Sequence, residues 1–94
     1  MELNFVAIPK NRKIQIEVSE LKRLGYKLPC WVSFEFAEGI NSVYKLVPGR
    51  QKKSELSPGY AKLYEDGTVT LPKVFTNVSQ YAVKYFERSF EIWI

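Results

Sequence analysis

Apolar and polar residues alternate along much of this chain, a pattern typical of β-strands that bury one face. The alternating stretches are residues 13–18, 31–36, 60–64, 68–71 and 89–94, and a return strand is predicted over residues 42–47. Within residues 31–36 the phase of the alternation predicts that Val32, Phe34 and Phe36 point into the core. Because nearly every predicted element is a strand, the pattern favours an all-β to α+β fold.

Two turns are predicted where polar residues or glycine separate the strands. Lys10–Arg12 separates the apolar stretch Asn4–Ile8 from residues 13–18, which predicts a hairpin between these first two strands. Glu65–Gly67 has the sequence that hairpin turns prefer, and it predicts a second hairpin around it.

One short helix is predicted between residues 19 and 25. Ser19 can cap the amides of a first turn, and Leu21 and Leu24 supply an apolar side. Gly25 can adopt the left-handed conformation that ends a helix. The spacing of cap and glycine predicts little more than one turn.

The chain divides into two halves around a segment that resembles a linker. Residues 48–59 begin and end with Pro-Gly pairs and have no periodicity between them. We therefore predict a single domain, 1–94, in which residues 3–47 and 60–94 form related strand-turn-strand-helix-strand halves. Together the halves are expected to form a small barrel with one or two short helices.

The prediction of an internal repeat depends on two sequence offsets. An offset of 55 aligns Ile14 with Val69, and an offset of 56 aligns residues 33–36 with residues 89–92. Within residues 73–86 two interpretations stay open: Thr76, Asn77 and Ser79 could each cap a turn, or residues 81–86 could belong to a long final strand.

The composition excludes several kinds of site. The 94 residues include one cysteine, Cys30, and no histidine. An intramolecular disulfide is therefore impossible, and the common zinc sites and histidine-dependent nucleophiles are removed. We expect no enzyme activity, no cofactor and no metal, and hence a binding or structural protein.

The sequence also bears on localisation. No apolar stretch approaches the roughly 18 residues that a membrane span requires. The first residues, Met1–Phe5, lack the basic and apolar regions of a secretory signal. The expectation is a cytoplasmic protein with no membrane partner.

Positive charge is concentrated in two segments. The formal net charge is +4, and residues 10–27 and 45–53 are both net basic, whereas the remainder is net acidic. Two basic segments on one side of a domain could meet the phosphates of a nucleic acid. The alternative is that these side chains only keep a small domain soluble, and charge alone leaves both interpretations open.

Several short motifs resemble the AbrB-type swapped-hairpin family. They are residues 11–16, 21–27 and 32–36, and in the second half residues 66–73. Two such halves in one chain are similar to the tandem MraZ arrangement. The resemblance implies that the barrel closes within one chain or by exchange in a homodimer. It also implies DNA binding through Arg12 in the turn and Lys22 and Arg23 on the helix.

The first functional hypothesis is a small transcriptional regulator that binds double-stranded DNA. Phosphate neutralisation by basic side chains supplies much of the affinity of such proteins. The candidate nucleic-acid-binding residues are Lys10, Arg12, Lys13, Lys22, Arg23, Arg50, Lys52 and Lys53.

The second hypothesis is a small protein-interaction module, an inhibitor or adaptor such as a mobile element encodes. If Phe34 and Phe36 face inward, Trp31 points outward at the start of its strand, and Trp93 does so by the same argument. An exposed tryptophan can anchor a protein partner or stack on a base.

Overall fold

A curled antiparallel sheet forms most of the structure, a computed structural model that describes residues 3–37, 42–49, 59–73, 75 and 77–94. The elements are β1 (Val6–Ala7), β2 (Lys13–Gln15), α1 (Val18–Arg23), β3 (Cys30–Phe36), β4 (Val43–Pro48), β5 (Gly59–Leu63), β6 (Thr68–Thr70), β7 (Gln80–Tyr85) and β8 (Phe90–Trp93). The strand order is β1-β7-β8-β4-β3-β5-β6-β2. The predicted fold class is confirmed, since the described residues form a mostly-β, barrel-like sheet with one short helix.

The predicted hairpin between the first two strands is wrong. β1 pairs with β7, where Val6 lies opposite Tyr81, and β2 pairs with β6, where Ile14 lies opposite Val69. Ile14 and Val69 are both fully buried, whereas the residues of β1 are exposed. β2 therefore gains an apolar partner in the second half of the chain that β1 does not offer.

The two halves build their first turns alike. The amide of Arg12 donates to the carbonyl of Pro9 at 2.9 Å, and the amide of Gly67 donates to the carbonyl of Tyr64 at 3.0 Å. Arg12 and Gly67 also share a positive φ, 61° and 84°. Positions that the offset of 55 aligns thus have the same turn geometry.

These turns also bond to each other across the β2–β6 pair. The amide of Ile16 donates to the carbonyl of Gly67, and the amide of Leu71 donates to the carbonyl of Arg12, each at 2.9 Å. The offset of 55 aligns Ile16 with Leu71 and Arg12 with Gly67, so the two hydrogen bonds are equivalent, with donor and acceptor halves interchanged. A pseudo-twofold axis between β2 and β6 requires this relation.

The strand order extends this symmetry to the rest of the sheet. The run β1-β7-β8 in the order corresponds to the run β5-β3-β4, so β7 is the counterpart of β3. This differs from the predicted alignment of residues 33–36, in β3, with residues 89–92. Residues 80–85 are extended, but they form a separate strand, β7, that a turn divides from β8, so the predicted long final strand is wrong. Pro48 and Gly59, at the ends of the predicted linker, belong to β4 and β5, and residues 50–58 lie outside the described residues.

The helix α1 begins earlier than predicted and ends as predicted. Glu17 occupies the N-cap position without a side-chain cap, so the predicted cap at Ser19 is wrong, and Ser19 lies within the first turn. At the other end Gly25 has a φ of 89°, and the amide of Tyr26 donates to the carbonyl of Leu21 at 3.0 Å. This bond across a left-handed glycine is typical of a Schellman ending. Within the described part of the chain, no helix has the length and apolar character needed to cross a bilayer.

Aromatic side chains are prominent in the core inside the curled sheet. Phe34 is the largest of the fully buried side chains, and its ring centroid lies 5.6 Å from that of Phe75 and 6.5 Å from that of Tyr44. The prediction that Phe36 faces inward is wrong, because this last residue of β3 is 37% exposed. Its ring packs beside Tyr44, with the centroids 5.0 Å apart.

Two tyrosine hydroxyls join β2 and its flank to β7. The amide of Gln15 donates to the hydroxyl of Tyr81, and the amide of Glu17 donates to the hydroxyl of Tyr85, each at 2.9 Å. Because β2 pairs with β6 along its other edge, these hydroxyls satisfy amides that point away from that ladder. Tyrosine hydroxyls therefore accept the backbone amides that the β2–β6 ladder does not pair.

Ionisation of Tyr26 is expected to weaken the fold in alkaline solution. Its hydroxyl donates to the carbonyl of Leu46 at 2.5 Å. Burial, and after it the charge of Cys30, raises the pKa of Tyr26 above its ordinary value of 10.0. Because the folded state holds this proton more tightly, the stabilisation is fully present below pH 10.0 and is lost as the pH rises through the raised pKa.

Urea unfolding measured from about pH 8 to about pH 11, around the usual tyrosine pKa, tests this expectation. The free energy of unfolding should fall in the alkaline range, and Tyr26→Phe should make the fall shallower. Burial also raises the pKa of Cys30, Tyr44 and Tyr85, so part of the fall should persist. An equally steep fall in the variant would contradict the role of Tyr26.

Candidate nucleic-acid interface

The structure uses Arg12 to hold the chain after β6. Its guanidinium Nη2 donates to the carbonyl of Pro72 at 3.3 Å and to the carbonyl of Phe75. The side chain is half-buried, and its Nε is buried without a hydrogen-bond partner among the described residues. A phosphate contact by Arg12 would have to compete with these two carbonyls.

Arg23 has a similar internal role at the end of α1. Its guanidinium contacts the carboxylate of Glu20 at 2.5 Å and donates to the carbonyl of Phe86 at 2.6 Å and to the carbonyl of Glu87. These bonds connect α1 to the turn between β7 and β8. Both arginines of the predicted DNA-contacting turn and helix therefore use part of their hydrogen-bonding capacity within the fold, while the side chain of Arg23 stays 42% exposed.

The predicted lysines lie in different parts of the molecule. Lys10 is exposed in the first turn, Lys22 is exposed on α1, and Lys13 is exposed on β2, where its Nζ is 5.8 Å from the ring centroid of Tyr64. The remaining predicted basic residues, Arg50, Lys52 and Lys53, lie outside the described residues.

The two tryptophans differ in exposure. Trp31 is 42% exposed, as the strand phase predicts, and its ring lies edge-on to that of Tyr60 with the centroids 5.7 Å apart. Trp93 is half-buried, and its Nε1 donates to Oε1 of Glu91 at 3.2 Å. Lys84 holds its ammonium 5.8 Å from the centroid of the Trp93 ring. Trp31 is therefore the more accessible of the two.

A cluster of aromatic and lysine side chains lies on the outer face of β3, β5 and β2. We call it the aromatic platform, and its members are Lys13, Trp31, Tyr60, Lys62 and Tyr64. Strand alternation produces it, because Ala61 and Leu63 are buried and the residues between and beside them point outward. Tyr60 and Tyr64 are 46% and 42% exposed, and Trp31 lies directly opposite Lys62 in the β3–β5 ladder.

Positive charge accompanies the rings of the platform. The Nζ of Lys62 is 5.6 Å from the ring centroid of Tyr64, whose other cationic neighbour is Lys13. Lys73 lines a shallow cavity of about 460 Å³ that also borders Trp31, Tyr60, Lys62 and Tyr64. The platform therefore presents aromatic surface and two ammonium groups, and Lys73 borders it at the cavity.

Carboxylates approach the platform at one end. Glu65 and Asp66, in the β5–β6 turn, line a second cavity of about 440 Å³ together with Lys13 and Tyr64. Hydrogen bonds from the Thr68 side chain and amide lower the pKa of Asp66, so this carboxylate is ionised at neutral pH. An anion on the platform is accordingly favoured toward Lys62 and Lys73 and disfavoured at the turn.

Sequence reasoning found part of this site and missed the rest. It identified Lys13 and Trp31, but it assigned Tyr60 and Tyr64 to ordinary sheet faces and did not single out Lys62 or Lys73. The outward phase of Tyr60, Lys62 and Tyr64 is visible in the sequence. Their position beside Trp31 depends on the β3–β5 pairing.

The described residues offer little for covalent or metal chemistry. No group of three histidine, cysteine, aspartate or glutamate residues there is placed to hold a metal ion. Burial raises the pKa of the Cys30 thiol, which disfavours the reactive thiolate. The platform combines exposed rings with ammonium groups and is the candidate site considered below.

Comparison with known proteins gives no match to any family model, curated protein or solved structure. The resemblance to AbrB-type and MraZ proteins therefore stays a prediction from short motifs.

Proposed function

We propose that this protein binds nucleic acid through the aromatic platform. The observation that carries the proposal is the placement of Trp31, Tyr60 and Tyr64, each more than 40% exposed, among the ammonium groups of lysines. Exposed rings give bases a surface on which to stack, and ammonium groups neutralise phosphates.

The proposal places the contacts away from the turn and helix that the AbrB resemblance implies. Arg12 and Arg23 donate to main-chain carbonyls, whereas the lysines of the platform have no comparable main-chain contact among the described residues. A role as a transcriptional regulator of double-stranded DNA stays a narrower hypothesis, in which Lys22 would be a leading contact.

Salt dependence and lysine variants at two places in the fold, one double and one single, test the proposal. Fluorescence anisotropy of a labelled oligonucleotide should give an affinity that falls with salt, with a log–log slope of about −2 to −3 from Lys13, Lys62 and Lys73. The double variant Lys13→Ala/Lys62→Ala should make this slope shallower by roughly 2. Lys22→Ala removes one exposed lysine from α1 and should leave binding unchanged.

The outcomes separate three interpretations. If Lys22→Ala weakens binding and the double variant does not, the contacts run through the helix, and the platform is not the site. If no oligonucleotide binds even at low salt, nucleic-acid binding is wrong. Circular dichroism of each variant establishes that a loss of binding is not a loss of fold.

A protein partner is the second candidate function, and the exposure of Trp31 is the observation that favours it. Tryptophan is enriched among the residues that dominate protein interfaces. Binding anchored in this way should persist at high salt and in the Lys13→Ala/Lys62→Ala variant, unlike phosphate binding.

A further inference from the structure

We infer that the ligand of the aromatic platform is a single strand of nucleic acid whose unpaired bases stack on its rings; this inference rests on the proposed function. In a duplex the faces of the bases are covered by their neighbours, so exposed rings on a sheet find nothing to stack on. Unpaired bases present a π-face whatever their sequence.

The width of the sheet face also disfavours a duplex groove. The platform's strands β3, β5 and β2, together with β6 between β5 and β2, are adjacent in the sheet. Three strand spacings make this face about 14 Å wide between its outer strands. The major groove is about 12 Å wide and admits a helix or a two-stranded ribbon. A four-stranded face can thus lie on a nucleic acid but cannot enter a groove.

The order of side chains along β5 and at Tyr64, the residue that follows it, suits a flexible nucleic-acid strand. Tyr60 and Tyr64 are separated by about 13 Å on the same face, and Lys62 stands between them. Trp31 lies beside Lys62 on β3 and extends the aromatic surface sideways. Ring, cation and ring in succession match the base and phosphate groups that alternate along a single strand.

Two cations lie over the ring of Tyr64 itself. Both Lys13 and Lys62 hold their ammonium groups within 6 Å of the Tyr64 centroid. A base that stacks on Tyr64 therefore displaces these ammonium groups from the ring face, and their flexible side chains keep them within reach of its flanking phosphates. Glu65 and Asp66 repel the strand from the turn and favour a path over Lys62 toward Lys73.

Four ligands of equal length test the inference with the full chain. They are a deoxythymidine 12-mer, a uridine 12-mer, a 12-base-pair DNA duplex and a 12-mer of abasic deoxyribose phosphate. We expect both single strands to bind at least about tenfold more tightly than the duplex and the abasic strand, because stacking is worth a few-fold to a hundredfold per base. The two single strands differ in the 2′-hydroxyl and report any preference for RNA or DNA.

Variants at Tyr64 identify the contact. Tyr64→Ala should weaken binding of the deoxythymidine strand by about 5- to 100-fold, whereas Tyr64→Phe keeps the ring and should bind like the parent protein. Binding of the abasic strand, which depends on phosphates, should not change in either variant.

The failures of the inference and of the proposed function are distinct. If the duplex or the abasic strand binds as tightly as the deoxythymidine strand, the protein binds nucleic acid but not by base stacking, and the inference is overturned. Equal losses in Tyr64→Ala and Tyr64→Phe would also overturn it. If none of the four ligands binds, the proposed function is wrong as well.

Discussion

Alanine at position 67 is expected to destabilise the fold much more than alanine at position 25. Gly67 and Gly25 have φ values of 84° and 89°, so both variants pay the left-handed penalty of about 1–2 kcal/mol. A Cβ on Gly67 would lie 2.1 Å from the carbonyl oxygen of Ile16, whereas a Cβ on Gly25 would meet nothing within 4 Å. Because a neighbouring strand cannot yield like a flexible side chain, we expect Gly67→Ala to cost roughly 3 kcal/mol or more.

The physical reason is the close approach of β2 and the β5–β6 turn. The carbonyl of Gly67 accepts the amide of Ile16 at 2.9 Å, so relieving the clash strains a bond that joins the two halves. Urea unfolding of the two variants beside the parent protein measures the difference. If the two variants lose the same free energy of unfolding to within about 0.5 kcal/mol, the usual size of a surface effect, the close approach of the Ile16 carbonyl to Gly67 is wrong.

Local features of the fold could be predicted because their causes are local in sequence. The left-handed ending at Gly25 and the turn at Glu65–Gly67 depend on glycine at one position and on a few neighbouring residues. The return strand after β3 also follows from short-range alternation, and it pairs with β3 as β4.

Strand partners could not be predicted from the same signals. Alternation says which face of a strand is buried but not which strand lies beside it, and this is how the first hairpin was mispredicted. β2 joins β6 because Ile14 and Val69 meet in the core, and hydroxyls from β7 take up amides on the other side. Contacts between residues this far apart in the sequence depend on the arrangement of the whole sheet.

The candidate site shows the same division. The number of positive charges can be counted from the sequence. Whether an arginine faces solvent or main-chain carbonyls depends on distant residues. Arg12 donates to Pro72 and Phe75, far along the chain, and Arg23 donates to Phe86. A count of basic residues therefore overestimates the number of hydrogen bonds that these arginines can donate to a phosphate.

Phe34→Ala is expected to remove a large part of the stability, and Phe36→Ala a small part. The two residues belong to the same strand, yet Phe34 is fully buried and Phe36 is 37% exposed. Truncating a buried phenylalanine costs about 3–5 kcal/mol, because transfer energy is lost and a cavity remains. For a domain whose total stability is roughly 5–15 kcal/mol, Phe34→Ala approaches global unfolding.

The control variant distinguishes burial from strand phase. Alternation alone gives Phe34 and Phe36 the same inward role and therefore similar losses. In the structure, the Phe34 ring packs against Phe75 as well as Tyr44, whereas Phe36 lies at the end of β3 beside Tyr44, so Phe36→Ala should cost about 1 kcal/mol. Thermal and urea unfolding of both variants measures the two losses. Similar losses would mean that β3 continues into the core beyond Phe34 and that the sheet does not end there as described.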